Sequence, residues 1–198
     1  MNMRYKNNAQ SGFAMLLAIT VASVLLALGL SMLSVTTKQL TLSGTARESE
    51  IAFAAASAGL GCMTYHRRQS ASDFFDNDTT GGPPSANCFG GGPDSGATQG
   101  KFDGTSGSDD YTNEFFYEYT WGASNNRCSQ VYMYVMRADT DDDGGNYTLD
   151  FSGVSEAIGS KTCAAGDTCT AVIARGYNAP CSVVTTQATV QRELTSQF

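Results

Sequence analysis

The sequence predicts an α+β chain: one long N-terminal helix, apolar in its first half and amphipathic in its second, packed on an antiparallel β-sheet. Three observations predict it. Residues 13–37 (FAMLLAITVASVLLALGLSMLSVTT) run 25 residues without a charge. The next 31 residues contain no proline and keep a helical repeat. Beyond a glycine-rich stretch, apolar residues alternate with polar ones at a period of two, as half-buried strands do. A length of 198 residues accommodates one folded domain plus an appendage.

Composition narrows the function. Hydrophobic residues at 41% can build a core, while charged residues at 16% fall below the usual level of about 25%. Nineteen acidic against twelve basic residues give a net charge of -7, which repels a polyanion, so no nucleic-acid partner is expected on the bulk surface. There is one histidine, His66, too few for multi-histidine zinc sites, and it sits with Arg67 and Arg68 where a helix end is expected. It reads as a surface residue capping that helix. No P-loop, GxSxG or GxGxxG motif occurs despite 21 glycines. The chain is not expected to be an enzyme.

The uncharged run, 13–37, measures roughly 35 Å as a helix, enough to cross a hydrocarbon core of about 30 Å. It exceeds the 7 to 15 residues or so of a secretory h-region. Arg4 and Lys6 precede it and the first acidic residue is Glu48. The positive-inside rule then puts the amino terminus in the cytoplasm and the rest of the chain outside. The polar leader MNMRYKNNAQS ends in Gly12 and the apolar segment opens at once with Phe13. In a secretory precursor the small cleavage residue follows the apolar stretch; here it precedes it.

That junction resembles the class III signal of type IV prepilins and pseudopilins. The resemblance implies a prepilin peptidase cutting between Gly12 and Phe13 on the cytoplasmic face, N-methylation of Phe13, and retention of the helix. Removal of residues 1–12 leaves 10 basic and 19 acidic residues, a net of -9.

The helix is expected to run from about Phe13 to about Arg67. In the part after Thr37, Leu42, Ala46, Ser49, Phe53, Ala56, Leu60 and Met63 recur at steps of four and three, one stripe of an amphipathic helix. Arg67 and Arg68 suit the negative pole of the helix dipole. A helix of this build is the spine of the pilin family. FAMLLAITVASVLLALGLSMLSVT with AFAAASAGLGC looks most like minor pilins with a PilX-type amino terminus, and the closing ARGYNAPC and VQREL resemble their final strands. Major pilins carry glutamate five residues after the cut, where this chain has Leu17. In the family that carboxylate pairs with a neighbour's amino group inside the apolar filament, so its absence implies a tip or sparse position.

Between Gly81 and Gly107 lie nine glycines and three prolines, which reads as a long connecting loop spanning 69–113. An antiparallel β domain, 114–198, should follow. Phe115, Tyr117, Tyr119 and Trp121 share one strand face, and Val131, Met133 and Val135 another. YTLDF (147–151), TAVIARGY (170–177) and TVQRELT (189–195) complete a meander of four or five strands.

Six cysteines, Cys62, Cys88, Cys128, Cys163, Cys169 and Cys181, all follow the apolar helix, and an even count on the exported side favours disulfides. Fifteen pairings are possible. Cys163 with Cys169 is the easiest to close; Cys62 with Cys88 and Cys128 with Cys181 complete one plausible set. CxxC spacings, which zinc would favour, are absent. Asp139-Thr140-Asp141-Asp142-Asp143-Gly144 fits the first half of a calcium loop, with Asp150 at the twelfth position. Asp139, Asp141, Asp143 and Asp150 are therefore candidate Ca2+ ligands. Against that stand aspartate at position twelve, Asn146 at the apolar eighth position and strand-like flanks, all of which fit a solvated acidic turn.

The expected organisation is a leader (1–12), a membrane and assembly helix (13–37), its amphipathic continuation (38–68), the loop and the β domain. The resemblance implies a minor pilin of a type IV pilus, held in the inner membrane and then moved to a surface filament. Its partners would be lipids, the prepilin peptidase and other pilin subunits through the N-terminal helix. A pseudopilin of a secretion or DNA-uptake system, and a single-pass anchored binding domain, remain open beside it.

Overall fold

The computed structural model describes residues 9–70, 74, 82–94, 98–103, 111–138, 146–184 and 189–198. Helix α1 (Ala9–Gln69) runs 61 residues without interruption, starting four residues before the expected point and ending two after it. Ser70 N–H donates to the His66 carbonyl at 2.9 Å where the helix stops. His66, Arg67 and Arg68 occupy the last turn, and the two guanidinium groups complement the negative pole of the dipole there.

The strands are β1 (Thr98–Asp103), β2 (Tyr111–Trp121), β3 (Arg127–Arg137), β4 (Tyr147–Asp150), β5 (Ser160–Cys163), β6 (Thr168–Tyr177) and β7 (Gln191–Gln197). Five form an antiparallel sheet in the order β1-β2-β3-β6-β7, while β4 and β5 pair apart from it. Two expectations need correction. Residues 98–103, read as loop, form an edge strand, a position where Gly100 and an irregularity between Lys101 and Asp103 are tolerated. The YTLDF strand leaves the meander and pairs with β5, Tyr147 opposite Cys163, in a hairpin inserted between β3 and β6. Between β2 and β3 the chain turns through positive φ at Gly122, Ser124 and Asn125, which glycine and asparagine adopt most readily.

The stretch of α1 from Ala52 to Arg67 lies on one face of the five-stranded sheet. Ala52, Ala55, Ala56 and Met63 are fully buried there, against Phe115, Tyr117, Tyr119, Val131, Met133, Val135, Val172 and Ala174. The approach is close because it is made by small residues. A Cβ on Gly176 would fall on the backbone of Ala52 and Ala56 and 2.8 Å from Ala55 Cβ; one on Gly59 would strike Ser129 Oγ. Ser129 Oγ, buried in the contact, donates to the Ala55 carbonyl at 3.1 Å. The buried stripe is thus 52, 55/56, 59, 63 and 67, which keeps Ala56 and Met63 of the expected one, with Leu60 packed at its side, and is otherwise rotated from it. Leu42 and Phe53, placed on the inner face by their hydrophobicity, are 67% and 52% exposed. Packing density, not side-chain size, decides the face.

The opposite face of the sheet is covered by the inserted hairpin. Leu149, Phe151 and Ile158 pack there on Tyr134, Met136, Ala171 and Ile173. Three disulfides close the fold: Cys62–Cys88, Cys128–Cys181 and Cys163–Cys169, with Cα–Cα distances of 6.0, 4.8 and 5.7 Å. The chain divides into two units, Met1–Ala46 and Arg47–Phe198; all the packing above belongs to the second.

Replacing Gly176 with leucine forces the helix off the sheet and should destabilise the second unit by about 1 to 3 kcal/mol or more, read as a lowered Tm of the full chain in detergent; an unchanged Tm contradicts the contact. Cys128–Cys181 spans 53 residues and Cys163–Cys169 spans 6. On loop length alone, serine pairs at the first should cost about 2 kcal/mol more than at the second. Chemical denaturation of the two double variants, with the order reversed, would argue that native-state packing outweighs chain entropy here.

Candidate functional site

Three regions bear on function: the Gly12–Phe13 junction with its apolar helix, the acidic loop, and a segment clamped at the end of α1.

Gly12 and Phe13 lie in the first turns of α1, Phe13 with 73% exposure. The first turn has no acidic residue to complement the dipole. From Phe13 to Val35 every large apolar side chain is at least 50% exposed, Leu17 among them. The helix is long and apolar enough to cross a membrane. Four of its hydroxyls are suited to an apolar setting, because they bond their own backbone: Thr20 Oγ1 to the Leu17 carbonyl, Ser23 Oγ to Thr20, Ser31 Oγ to Leu28 and Thr36 Oγ1 to Met32, all at 2.8 to 2.9 Å.

Of the candidate calcium ligands, Asp139, Asp141 and Asp143 lie outside the described residues. Asp150 ends β4 and is exposed; its Oδ1 accepts the Ser152 N–H at 2.9 Å. That hydrogen bond holds its carboxyl below the usual carboxylate range. One oxygen of the expected twelfth ligand is therefore engaged in a local turn.

The clamped segment is Gly82–Asp94, which crosses the inner sheet face beside the end of α1. It contains no regular strand, so its carbonyls need side-chain partners. The inward tyrosines of β2 supply them. Tyr117 OH donates to the Pro84 carbonyl at 2.9 Å and Tyr119 OH to the Ala86 carbonyl at 2.8 Å. Asp94 N–H donates to the Glu118 carbonyl at 2.8 Å, and Phe89, at positive φ, stacks on Trp121 with centroids 5.1 Å apart. Cys88, 3% exposed, ties the segment to Cys62 on the helix. His66, one turn beyond Cys62, places Nε2 3.0 Å from the Asn87 carbonyl. The histidine read as a helix cap thus holds another segment, and it is half-buried. Arg67, on the next face, is buried and donates from Nε to Thr170 Oγ1 on β6 at 3.0 Å.

The aromatic run of β2 divides accordingly. Phe115, Tyr117 and Tyr119 are core, and Trp121 is half-buried at the segment's edge. Sequence reasoning missed Asn87, Phe89, Gly59 and Gly176. Only the one-turn spacing of Cys62 and His66 could have flagged the clamp.

Burial pushes the phenols of Tyr117, Tyr119 and Tyr134 well above their ordinary value, with Glu114 adding to the effect at Tyr134. The folded chain keeps these protons at a pH where the unfolded chain loses them, from about pH 10 upward. Stability is therefore complete below about pH 10 and falls as pH rises, by up to about 1.4 kcal/mol per pH unit for each group. In an alkaline titration, phenolate absorption should stop short of all nine tyrosines until circular dichroism reports unfolding; full ionisation of a still-folded chain would contradict this. Comparison with protein families, with curated proteins and with solved structures finds no match to this chain, so a functional reading rests on its own residues.

Proposed function

We propose that the chain is the precursor of a type IV pilin-like filament subunit of the minor-pilin kind. The observation that carries the reading is the junction: a polar leader ending in Gly12, followed at Phe13 by a helix whose large apolar side chains all lie exposed as far as Val35. The helix holds the precursor in the inner membrane with its amino terminus in the cytoplasm. A prepilin peptidase cuts after Gly12, and the new terminal Phe13 is methylated.

Assembly then exchanges lipid neighbours for the equivalent helices of other subunits. Lipid tails and leucine side chains are equally apolar, so close packing drives the exchange more than removal from water. Self-bonded hydroxyls support this, since they ask nothing of either surrounding. Leu17 leaves the subunit without a carboxylate to meet a neighbour's terminal amine. The β domain, held by three disulfides, is built for the oxidising side of the membrane.

Intact-mass measurement of the chain from cells that make a prepilin peptidase should give a product beginning with N-methylated Phe13. Gly12→Val should leave the uncut, Met1-initiated precursor. A wild-type chain that stays full-length in such cells favours a single-pass anchored domain, and a Gly12→Val chain trimmed at the same bond removes the assigned cleavage site.

A further inference from the structure

We propose that Cys62, His66 and Cys88 form a redox-gated metal site: a disulfide cross-link when oxidised, and a Cys2His site for zinc when reduced. The two sulfurs and a ring nitrogen of His66 lie within 4.8 Å of one another. Two elements supply them. Cys62 and His66 stand one turn apart on α1, so they share a face; Cys88 comes from the clamped segment across from them. Fold, not CxxC spacing, brings them together.

The second observation is the hydrogen bond of the imidazole. A backbone carbonyl only accepts, so the Nε2 that faces the Asn87 oxygen at 3.0 Å carries the proton. Nδ1 is then the lone-pair nitrogen. A histidine oriented by donating its other ring N–H to a backbone carbonyl is the arrangement that fixes the tautomer of a metal ligand. Two thiolates and an imidazole suit zinc, whose fourth tetrahedral position is left for water at the exposed side of His66.

Oxidised, the sulfurs are bonded to each other and the set cannot close on an ion. A dithiol reductant delivers two electrons to the Cys62–Cys88 bond, leaving two thiols and itself becoming a disulfide. Zinc then binds both sulfurs as thiolates, two protons pass to solvent, and neutral His66 binds without proton change. Either state pins the segment to the helix. The site would hold this part of the fold together before the disulfide forms, or after it is opened.

The test uses the full chain in detergent micelles, reduced with a phosphine and alkylated with and without zinc ion, each cysteine followed by peptide mass mapping. Zinc should slow alkylation of Cys62 and Cys88 about tenfold or more without matching protection at Cys163 and Cys169, and His66→Ala should abolish most of the effect. The oxidised chain should take up no zinc at these residues. Reduced chain substituted with cobalt(II) should show a thiolate-to-metal charge-transfer band that Cys62→Ser weakens. Unchanged alkylation of Cys62 and Cys88, equal protection of all cysteines, or full protection in His66→Ala would each overturn the proposal.

Discussion

The fold depends on how closely α1 approaches the sheet. At Gly59 on the helix and Gly176 on β6 a Cβ would strike the opposite element, so the absence of side chains there lets the two backbones approach. The space released is too small for anything else, so Ala52, Ala55 and Ala56 fill it. This contact fixes the rotation of the helix, and the rotation fixes everything further along it. With 52, 56, 59 and 63 facing the sheet, Arg67 is carried down to Thr170, while Cys62 and His66 turn toward the Gly82–Asp94 segment. A larger residue at either glycine would shift these partners together, because a rigid helix moves as a unit.

The choice of tyrosine on β2 follows from the same geometry. A purely aliphatic inner face would pack against α1 equally well, yet it would leave the carbonyls of Pro84 and Ala86 without donors beneath the segment that covers them. An unsatisfied buried carbonyl costs about 1 to 3 kcal/mol. Tyr117 and Tyr119 bury their rings in the core and present their hydroxyls at its edge, which satisfies the segment without a further strand. A stretch rich in glycine and proline, with one internal turn bond from Gly91 N–H to the Cys88 carbonyl, is thereby ordered by its neighbours.

The sequence made some of this legible. The long helix followed from an uninterrupted absence of proline, and β2 and β3 from strict alternation, with Phe115, Tyr117, Tyr119, Val131, Met133 and Val135 turned inward as that pattern requires. The helix stripe was misplaced because periodicity weights large apolar residues. Phe53 and Leu42 satisfy the pattern but not the contact, which only small residues can make. Strand β1 was hidden by its composition, since an edge strand needs partners on one side alone and can carry glycine. Strand β5, SKTC, is too short to show a period, and its pairing with β4 depends on a turn whose outcome local residues do not encode. His66 was misread for a related reason: the carbonyl it serves is 21 residues away, at Asn87.

The apolar half of α1 sets a constraint of a different kind. Fourteen large side chains from Phe13 to Val35 are exposed, and each left in water forgoes about 1.5 to 3 kcal/mol. The sum exceeds the net stability of an ordinary domain, about 5 to 15 kcal/mol, so covering this surface is a larger effect than the folding of one such domain. Covering by lipid or by protein would remove that exposure. Because those two coverings are nearly equal in apolarity, passage between them is governed by small differences in packing and by the few polar groups present. Thr20, Ser23, Ser31 and Thr36 are neutralised within the helix. Leu17 adds no charge, and the first helical turn offers no carboxylate. What remains to distinguish lipid from protein is the shape of the helix surface and the hydroxyl of Ser34. On the reading proposed above, the shape of this surface is what a neighbouring helix would have to match, since the segment from Phe13 to Thr37 carries no charge of its own.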